Sequence, residues 1–202
     1  MKLTACAINC SLAPSGARES STDAMIAVLR DAFLEHDVTV GDPIRIADHN
    51  VKPGVTSDEG EGDDWPRIRK QILAADILVF GTPIWMGQSS SIARRVCERM
   101  DAFLSETDDK GRMPSYGKVA VAAIVGNEDG AHWASSQLFQ SLNDTGWTIP
   151  AVAACYWVGE AMGSKDFKDF HKTPDKVRDT AAMVAGNAAH LAKLLKDAPY
   201  PG

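Results

Sequence analysis

Short apolar runs alternate along the chain with stretches whose apolar residues recur every three or four positions. Residues 2–9 form the first run, bounded by Asn9 and Ser11, and read as a strand. Residues 21–36 set Ala24, Met25, Val28, Leu29, Ala32 and Phe33 on one helical stripe. Val38 to Ile46 is a second strand, interrupted by Gly41 and Pro43. Proline cannot donate to a ladder, so this strand belongs near a sheet edge. Residues 50–63, rich in Gly, Asp, Glu and Ser, read as a solvated loop. Trp65 to Ala75 is a second helix, with Asp63 or Asp64 as N-cap and Pro66 in the first turn. Asp76 to Gly81 is almost wholly apolar, as suits a parallel strand buried on both faces, and Thr82-Pro83 is expected to stop it.

The alternation continues. Ser89 to Leu104 is a third helix capped from the Ser89-Ser90-Ser91 cluster, and Lys118 to Val125 a fourth strand. His132 to Thr145 is a helix ended by Gly146, and Ile149 to Tyr156 a fifth strand. Thr173 to Lys196 is a long last helix with Thr173 as N-cap and Pro174 at its first position. Five strands alternating with five helices specify a parallel sheet with right-handed crossovers. An open α/β arrangement with helices on both faces is favoured over a barrel, since eight βα units need about 250 residues. A ligand then sits beyond the carboxyl ends of the strands.

Composition narrows the functional classes. The 202 residues, 45% hydrophobic and 24% charged, suit one globular domain spanning 1–202. A net charge of -6 without a basic stripe argues against a nucleic-acid partner. No apolar run approaches the roughly 18 residues of a membrane helix. Leu3-Thr4-Ala5-Cys6 resembles a lipoprotein cleavage site, but too little apolar chain precedes it, and a cytoplasmic protein without membrane insertion is expected. The four cysteines, Cys6, Cys10, Cys97 and Cys155, form no C-x-x-C pair, and burial explains Cys6 and Cys10 better than a metal or disulfide.

Three loops at strand ends carry candidate chemistry. The first, Asn9 to Thr22, includes Ser11, Ser15, Ser20, Ser21, Thr22 and Arg18 ahead of a helix start. Hydroxyls, free N–H groups and a guanidinium suit a phosphate; plain N-capping needs only one hydroxyl. No G-x-G-x-x-G and no G-x-x-x-x-G-K-[ST] is present, which speaks against a dinucleotide-binding fingerprint and a P-loop. The second loop runs Gly81-Thr82-Pro83-Ile84-Trp85-Met86-Gly87-Gln88-Ser89-Ser90. Its amides from Ile84 to Gly87 suit a flat polar ring edge, with Trp85 packed against the ring or merely covering the sheet's end. The third, Gly126-Asn127-Glu128-Asp129-Gly130-Ala131-His132-Trp133, brings two glycines that permit close backbone approach, or a turn capped by Asp129.

Taken together these loops resemble the NAD(P)H-dependent FMN reductases of the flavodoxin-like superfamily. The segment Gly81 to Gly87 followed by the serine-rich helix start is similar to the T-P-[IV]-[YW]-x-G pattern that contacts the isoalloxazine ring in that family. The first loop is similar to the family's G-S-P-R phosphate loop, with Ser11, Ser21 and Thr22 at its phosphate positions and Ser20 and Arg18 beside them; Cys10 and Leu12-Ala13 depart from it. The resemblance implies a flavodoxin-like three-layer sandwich with a five-stranded sheet in the order 2-1-3-4-5. It implies an FMN site including Ser11, Arg18, Ser20, Ser21, Thr22, Pro83, Ile84, Trp85, Met86, Gly87, Gly126, Asn127 and Gly130, with no catalytic side chain required.

The activity implied is hydride transfer from NADPH or NADH to the flavin and on to a small-molecule acceptor such as a quinone or free flavin. An electron-carrier flavodoxin is the alternative. A hydrolase is disfavoured, because no G-x-S-x-G elbow follows a strand. The resemblance also implies a homodimer or homotetramer, for which Trp65, Trp133 and Trp157 are candidate interface residues or ordinary core residues.

Overall fold

Alternating burial in two neighbouring strands decides the architecture. In the computed structural model, which describes residues 2–202, β4 (Ile77–Trp85) lies parallel to β6 (Val119–Gly126), paired from Ile77↔Val119 to Pro83↔Val125. Ile77, Val79, Val119, Val121 and Ala123 face one apolar cluster, and Leu78, Phe80, Ala120, Ala122 and Ile124 face the other. Side chains alternate across a strand, so a run apolar at every position must be covered on both sides.

The first cover is α1 (Ser21–Leu34) with α5 (Asp175–Asp197). Met25, Ile26, Leu29 and Phe33 of α1 meet a run of small residues on α5, Ala181, Ala185, Ala188, Ala189 and Ala192. The second cover is α2 (Trp65–Ala74), α3 (Ser91–Met100) and α4 (Ala131–Asp144). Beside β4 stands β1 (Leu3–Asn9), then β2 (Val38–Val40); beyond β6 stands β7 (Ala154–Val158). The order β2-β1-β4-β6-β7 is that of a flavodoxin-like sheet, as expected. Two short pieces attach to it: β3 (Ile44–Arg45) continues the β2 edge along β1, and β5 (Gln88–Ser89) folds back on β4. The split between β2 and β3 falls at Gly41 to Pro43, where the sequence interrupts the strand.

Several boundaries differ from the sequence reading. Thr82-Pro83 does not stop the third main strand, which runs on to Trp85. Past Gly81 the strand has lost β1 as a neighbour, so a missing proline N–H breaks no ladder on that side. The fifth main strand starts at Ala154 rather than Ile149, because the chain turns at Ala151 and Val152, the latter at φ 54, and only Thr148 bridges to Val119. The third helix is α-helical only to Met100 and ends in a 3-10 turn, Asp101–Leu104. The last helix begins at Asp175 after Pro174, without a side-chain cap from Thr173.

The segment 50–63 is not simply a solvated loop. Arg99 of α3 and Asp63 form an ion pair at 2.7 Å with both side chains fully buried. Arg99 also donates to the carbonyls of Lys52 (2.9 Å) and Thr56 (3.0 Å), and its guanidinium lies over the Trp65 ring. Asp63 in turn accepts the Trp65 N–H at 3.2 Å, so it rather than Asp64 meets the start of α2. Burial opposes the ionised carboxyl, yet the Arg99 guanidinium and the N–H groups of Glu59, Trp65 and Lys52 hold Asp63 well below the usual carboxylate range.

Removing one partner of such a pair strands the other in the interior. Asp63→Asn is expected to lower unfolding free energy at neutral pH by about 3–5 kcal/mol in denaturant titrations. A carboxyl held low when folded stabilises fully above the unfolded value of about 4 and loses that contribution as pH falls below it. The gap between wild type and variant should therefore close on acidification. Gly81→Ala tests the packing of α1: its Cβ would stand 2.7 Å from Ile26 Cδ1, 2.8 Å from Thr22 Cγ2 and 2.9 Å from the Ile8 carbonyl. A loss of about 1–3 kcal/mol is expected in the same titration.

Candidate functional site

The last pair between β1 and β4 is Asn9↔Gly81. Cys10 N–H still donates to the Gly81 carbonyl at 2.8 Å, and then the two chains part. From β1 the chain reaches α1 on one face of the sheet; from β4 it passes through β5 to α3 on the other. The crevice between such diverging connections is where open α/β sheets receive ligands. Ser90 bridges it: its hydroxyl caps α3 by accepting from Ala93 N–H (3.1 Å) and donates to the Cys10 carbonyl (2.6 Å).

The loop from β1 is held by polar contacts beneath it. Ser20 caps α1, accepting the Asp23 N–H at 3.2 Å, and its hydroxyl lies 2.9 Å from that of Ser11. Ser11 N–H donates to Asn9 Oδ1 at 2.8 Å. The buried Asn9 amide donates to Ser20 and Asp23, and Asp23 pairs with Arg45, which also donates to the Ala13 carbonyl at 2.9 Å. Farther out, Ser15 donates its N–H at 2.7 Å, and its hydroxyl, to Asp48, and holds that carboxyl below its ordinary value. The N–H groups of the first turn of α1 have no preceding helical carbonyl to meet.

The five residues singled out in this loop take different places. Ser11 and Ser20 sit side by side, half-buried, ahead of the helix start. Arg18 is exposed and in no ion pair among the described residues. Ser21 accepts the Lys168 N–H at 3.3 Å. Thr22 is only 1% exposed, with its methyl against Gly81.

Across the crevice, β4 and β5 are joined by Met86 (φ 54) and Gly87 (φ 73), a two-residue left-handed turn between Trp85 and Gln88. Ile84 is buried toward the core and touches Gly126, whose Cβ would lie 2.8 Å from Ile84 Cβ; Pro83 is half-buried on the strand. Trp85 is 48% and Met86 87% exposed. The Met86 and Gly87 N–H groups, expected at a ring edge, donate to the two carboxylate oxygens of Glu128 at 2.9 and 3.0 Å. Gly130 starts α4 at φ 117, and a Cβ there would stand 2.5 Å from the Gly87 carbonyl. Asp129 makes no cap; Asn127 donates to Asp166 at 2.7 Å, tying this loop to the 3-10 turn Phe167–Asp169.

Three aromatic residues also part company. Trp65 is core, Trp157 packs on Phe167 and Phe170, and Trp133 stands exposed beside His132, which lies 3.0 Å from the Tyr156 hydroxyl. No cysteine offers a thiolate: burial pushes Cys6 up to about 11, Cys97 and Cys155 to about 12, and Cys10 well up, and all four are free. A cavity of about 320 Å³ lined by Tyr116, Trp147 and Tyr200 lies by Thr148, where β6 begins, away from these loops. A crevice of about 460 Å³ runs beside β3 between Arg30, Arg45 and Arg67 and reaches Ser15. Sequence reasoning passed over Asn9, Asp23, Arg45 and Glu128. The polar Asn9 at the end of an apolar strand was a usable signal; the Glu128 contact depends on two loops meeting, which no local pattern encodes.

Comparison with known proteins agrees with this geometry. The family described as NADPH-dependent FMN reductase matches residues 3–161. The 8-demethyl-8-aminoriboflavin-5'-phosphate synthase of Streptomyces davaonensis is 30% identical over 99% of this chain and 81% of its own length. A crystal structure of RosB with the bound intermediate 8-demethyl-8-formylriboflavin-5'-phosphate superposes with a TM-score of 0.87 at 28% identity, over 99% of this chain and 82% of that one. A divalent metal cation transporter, MntH of Mycobacterium bovis, is 34% identical over 88% of this chain, but the chain spans only 27% of its length. Among the described residues no helix is long and apolar enough to cross a membrane. The sheet order, the hydroxyl loop and the match over residues 3–161 agree: the chain belongs to the NADPH-dependent FMN reductase family, enzymes that bind FMN and use NAD(P)H.

Proposed function

We propose that residues 1–202 form a single FMN-binding reductase unit that passes electrons from NADPH or NADH to a small acceptor such as a quinone or free flavin. One observation carries the reading. At the switch point of the sheet, where β1 and β4 part beyond Asn9 and Gly81, β1 leads into a hydroxyl-lined helix start and β4 into a turn bearing two exposed apolar side chains. The donor set suits a phosphate monoester. The Ser11 and Ser20 hydroxyls, the first-turn amides of α1 at Ser21 and Thr22, and the exposed Arg18 all supply hydrogen-bond donors. Thr22, being buried, offers its amide rather than its side chain. Trp85 and Met86 are costly to leave in water and gain about 25 cal/mol per Å² when a flat ring covers them. Gly126, Asn127 and Gly130 close the site from the loop after β6, where the two glycines let that loop pack tightly on Ile84 and on the Met86-Gly87 turn that would meet the ring.

When bound, FMN supplies hydride acceptance and electron transfer, and the protein supplies position and electrostatics. The residues here orient the group and screen it from water, so the lack of a thiolate or a carboxylate pair is no obstacle. The acceptor is a small molecule, with no nucleic acid and no membrane insertion involved, the compartment is the cytoplasm, and the working form is a homodimer or homotetramer. The exposed Trp133 supports such an interface.

A second reading is favoured by one specific observation. The synthase and the RosB structure match over nearly the whole chain, and both names refer to riboflavin phosphates altered at position 8. FMN would then be a substrate whose ring is remodelled rather than a resident cofactor. The mass of the flavin recovered after turnover separates the two: an unchanged FMN supports the reductase, an altered ring the synthase.

Two outcomes test the phosphate assignment. Arg18→Ala and Ser11→Ala should each weaken FMN binding about ten-fold, as expected for a lost charge-assisted hydrogen bond, in titrations followed by flavin fluorescence. Riboflavin, which lacks the phosphate, should bind the variants and the wild type alike. Equal losses for both flavins would remove the phosphate from this loop. NADPH oxidation by the FMN-loaded protein with a quinone present distinguishes the enzyme from a carrier, which would turn over negligibly.

A further inference from the structure

The turn that faces the crevice is clamped by a carboxylate. Met86 and Gly87, the two central residues of the turn, both have left-handed φ, and their N–H groups point away from the β4–β5 ladder. Glu128 takes both, one on each oxygen, at 2.9 and 3.0 Å. It reaches them from the loop between β6 and α4, where Gly130 abuts the Gly87 carbonyl so closely that a Cβ would stand 2.5 Å away. Two points of contact, one polar and one steric, therefore lock the second strand-end loop to the third.

We propose that Glu128 is a latch: it occupies the ring-edge amides of Met86 and Gly87 in the flavin-free protein and yields them to the flavin. The inference rests on the reading that FMN binds at this rim. Its logic is competition for donors. An amide N–H makes one good hydrogen bond, and a carboxylate is a stronger acceptor than a ring carbonyl. The two donors cannot serve Glu128 and a flavin edge together. The carboxylate thus keeps the turn formed while the site is empty, including the strained left-handed Met86. It also subtracts from flavin affinity what its own release requires. Glu128 is half-exposed, so a swing into solvent leaves no charge stranded in the interior. Met86, 87% exposed, is likewise free to settle on the ring once the turn has changed partners.

Two measurements on the full chain test the latch. The first is FMN affinity. Glu128→Gln keeps the side chain's shape but offers one acceptor where there were two, and removes the charge. It should bind FMN about three- to ten-fold more tightly than wild type, the range set by one or two net hydrogen bonds no longer sacrificed. Glu128→Ala should do the same, and its circular dichroism reports whether it remains folded. The second measurement is the backbone amide resonances of Met86 and Gly87. These should differ between wild type and Glu128→Gln without flavin and coincide once FMN is bound, because the carboxylate has then left. Weaker or unchanged FMN binding by Glu128→Gln, or a difference in the two resonances that persists in the bound form, would overturn the latch and leave FMN binding standing. A wild type that binds no FMN would instead overturn the cofactor reading, and the latch with it.

Discussion

Beyond the Asn9–Gly81 pair, β4 has lost β1 as a neighbour. The strand nevertheless continues to Trp85, held by β6 as far as Pro83 and by β5 over Ile84 and Trp85, while the chain from β1 turns away toward α1. This mismatch in strand length at the centre of the sheet creates the crevice, and much of the local chemistry follows from it. A proline is tolerated at position 83 because the ladder on its free side has ended. The turn at Met86-Gly87 projects past the sheet and carries Trp85 and Met86 into the open. The start of α1 comes to lie level with the last residue of β1, so its capping Ser20 meets Ser11.

Around this step the loops are ordered by two ion pairs, one partly and one wholly withdrawn from water. Asp23 and Arg45, with Asn9 between strand and helix, fix the hydroxyl loop from below. Arg99 and Asp63 do the same for residues 50–63, where one guanidinium collects two carbonyls and a carboxylate. The Arg99–Asp63 pair is dear to bury and dearer to break, and it favours one loop conformation over its competitors by leaving the alternatives with stranded charge. A site that has to present several weak donors to one small group gains from that rigidity, because the ordering entropy is lost on folding rather than on binding.

The parallel open sheet, the five helices and the three strand-end loops were legible because they depend on periodicity and on which residues break it; the strand order was implied by the family resemblance alone. Pro43 marked an edge strand, and the all-apolar run from Ile77 marked a central one. What stayed hidden was set by contacts between segments far apart in sequence. Nothing local to Thr82-Pro83 reveals that β1 has ended beside it. The acidic stretch before Trp65 looks solvated until Arg99, 36 residues on from Asp63, is brought beneath it. Asp129 reads as a cap and Glu128 as a neighbour, whereas Gly130 begins α4 and Glu128 reaches 41 residues back to Gly87. Thr22 has the right chemistry for a phosphate, but the helix turns its side chain against Gly81.

The central claim is that one small region at the switch point grips a phosphate monoester and leaves the attached ring beside Trp85. A crystal structure of the protein grown with FMN addresses it directly. The account requires the phosphate within hydrogen-bond distance of the Ser11 and Ser20 hydroxyls and the first amides of α1, with the isoalloxazine over the Trp85–Gly87 turn. A flavin seated elsewhere, with that helix start facing only water, would contradict it.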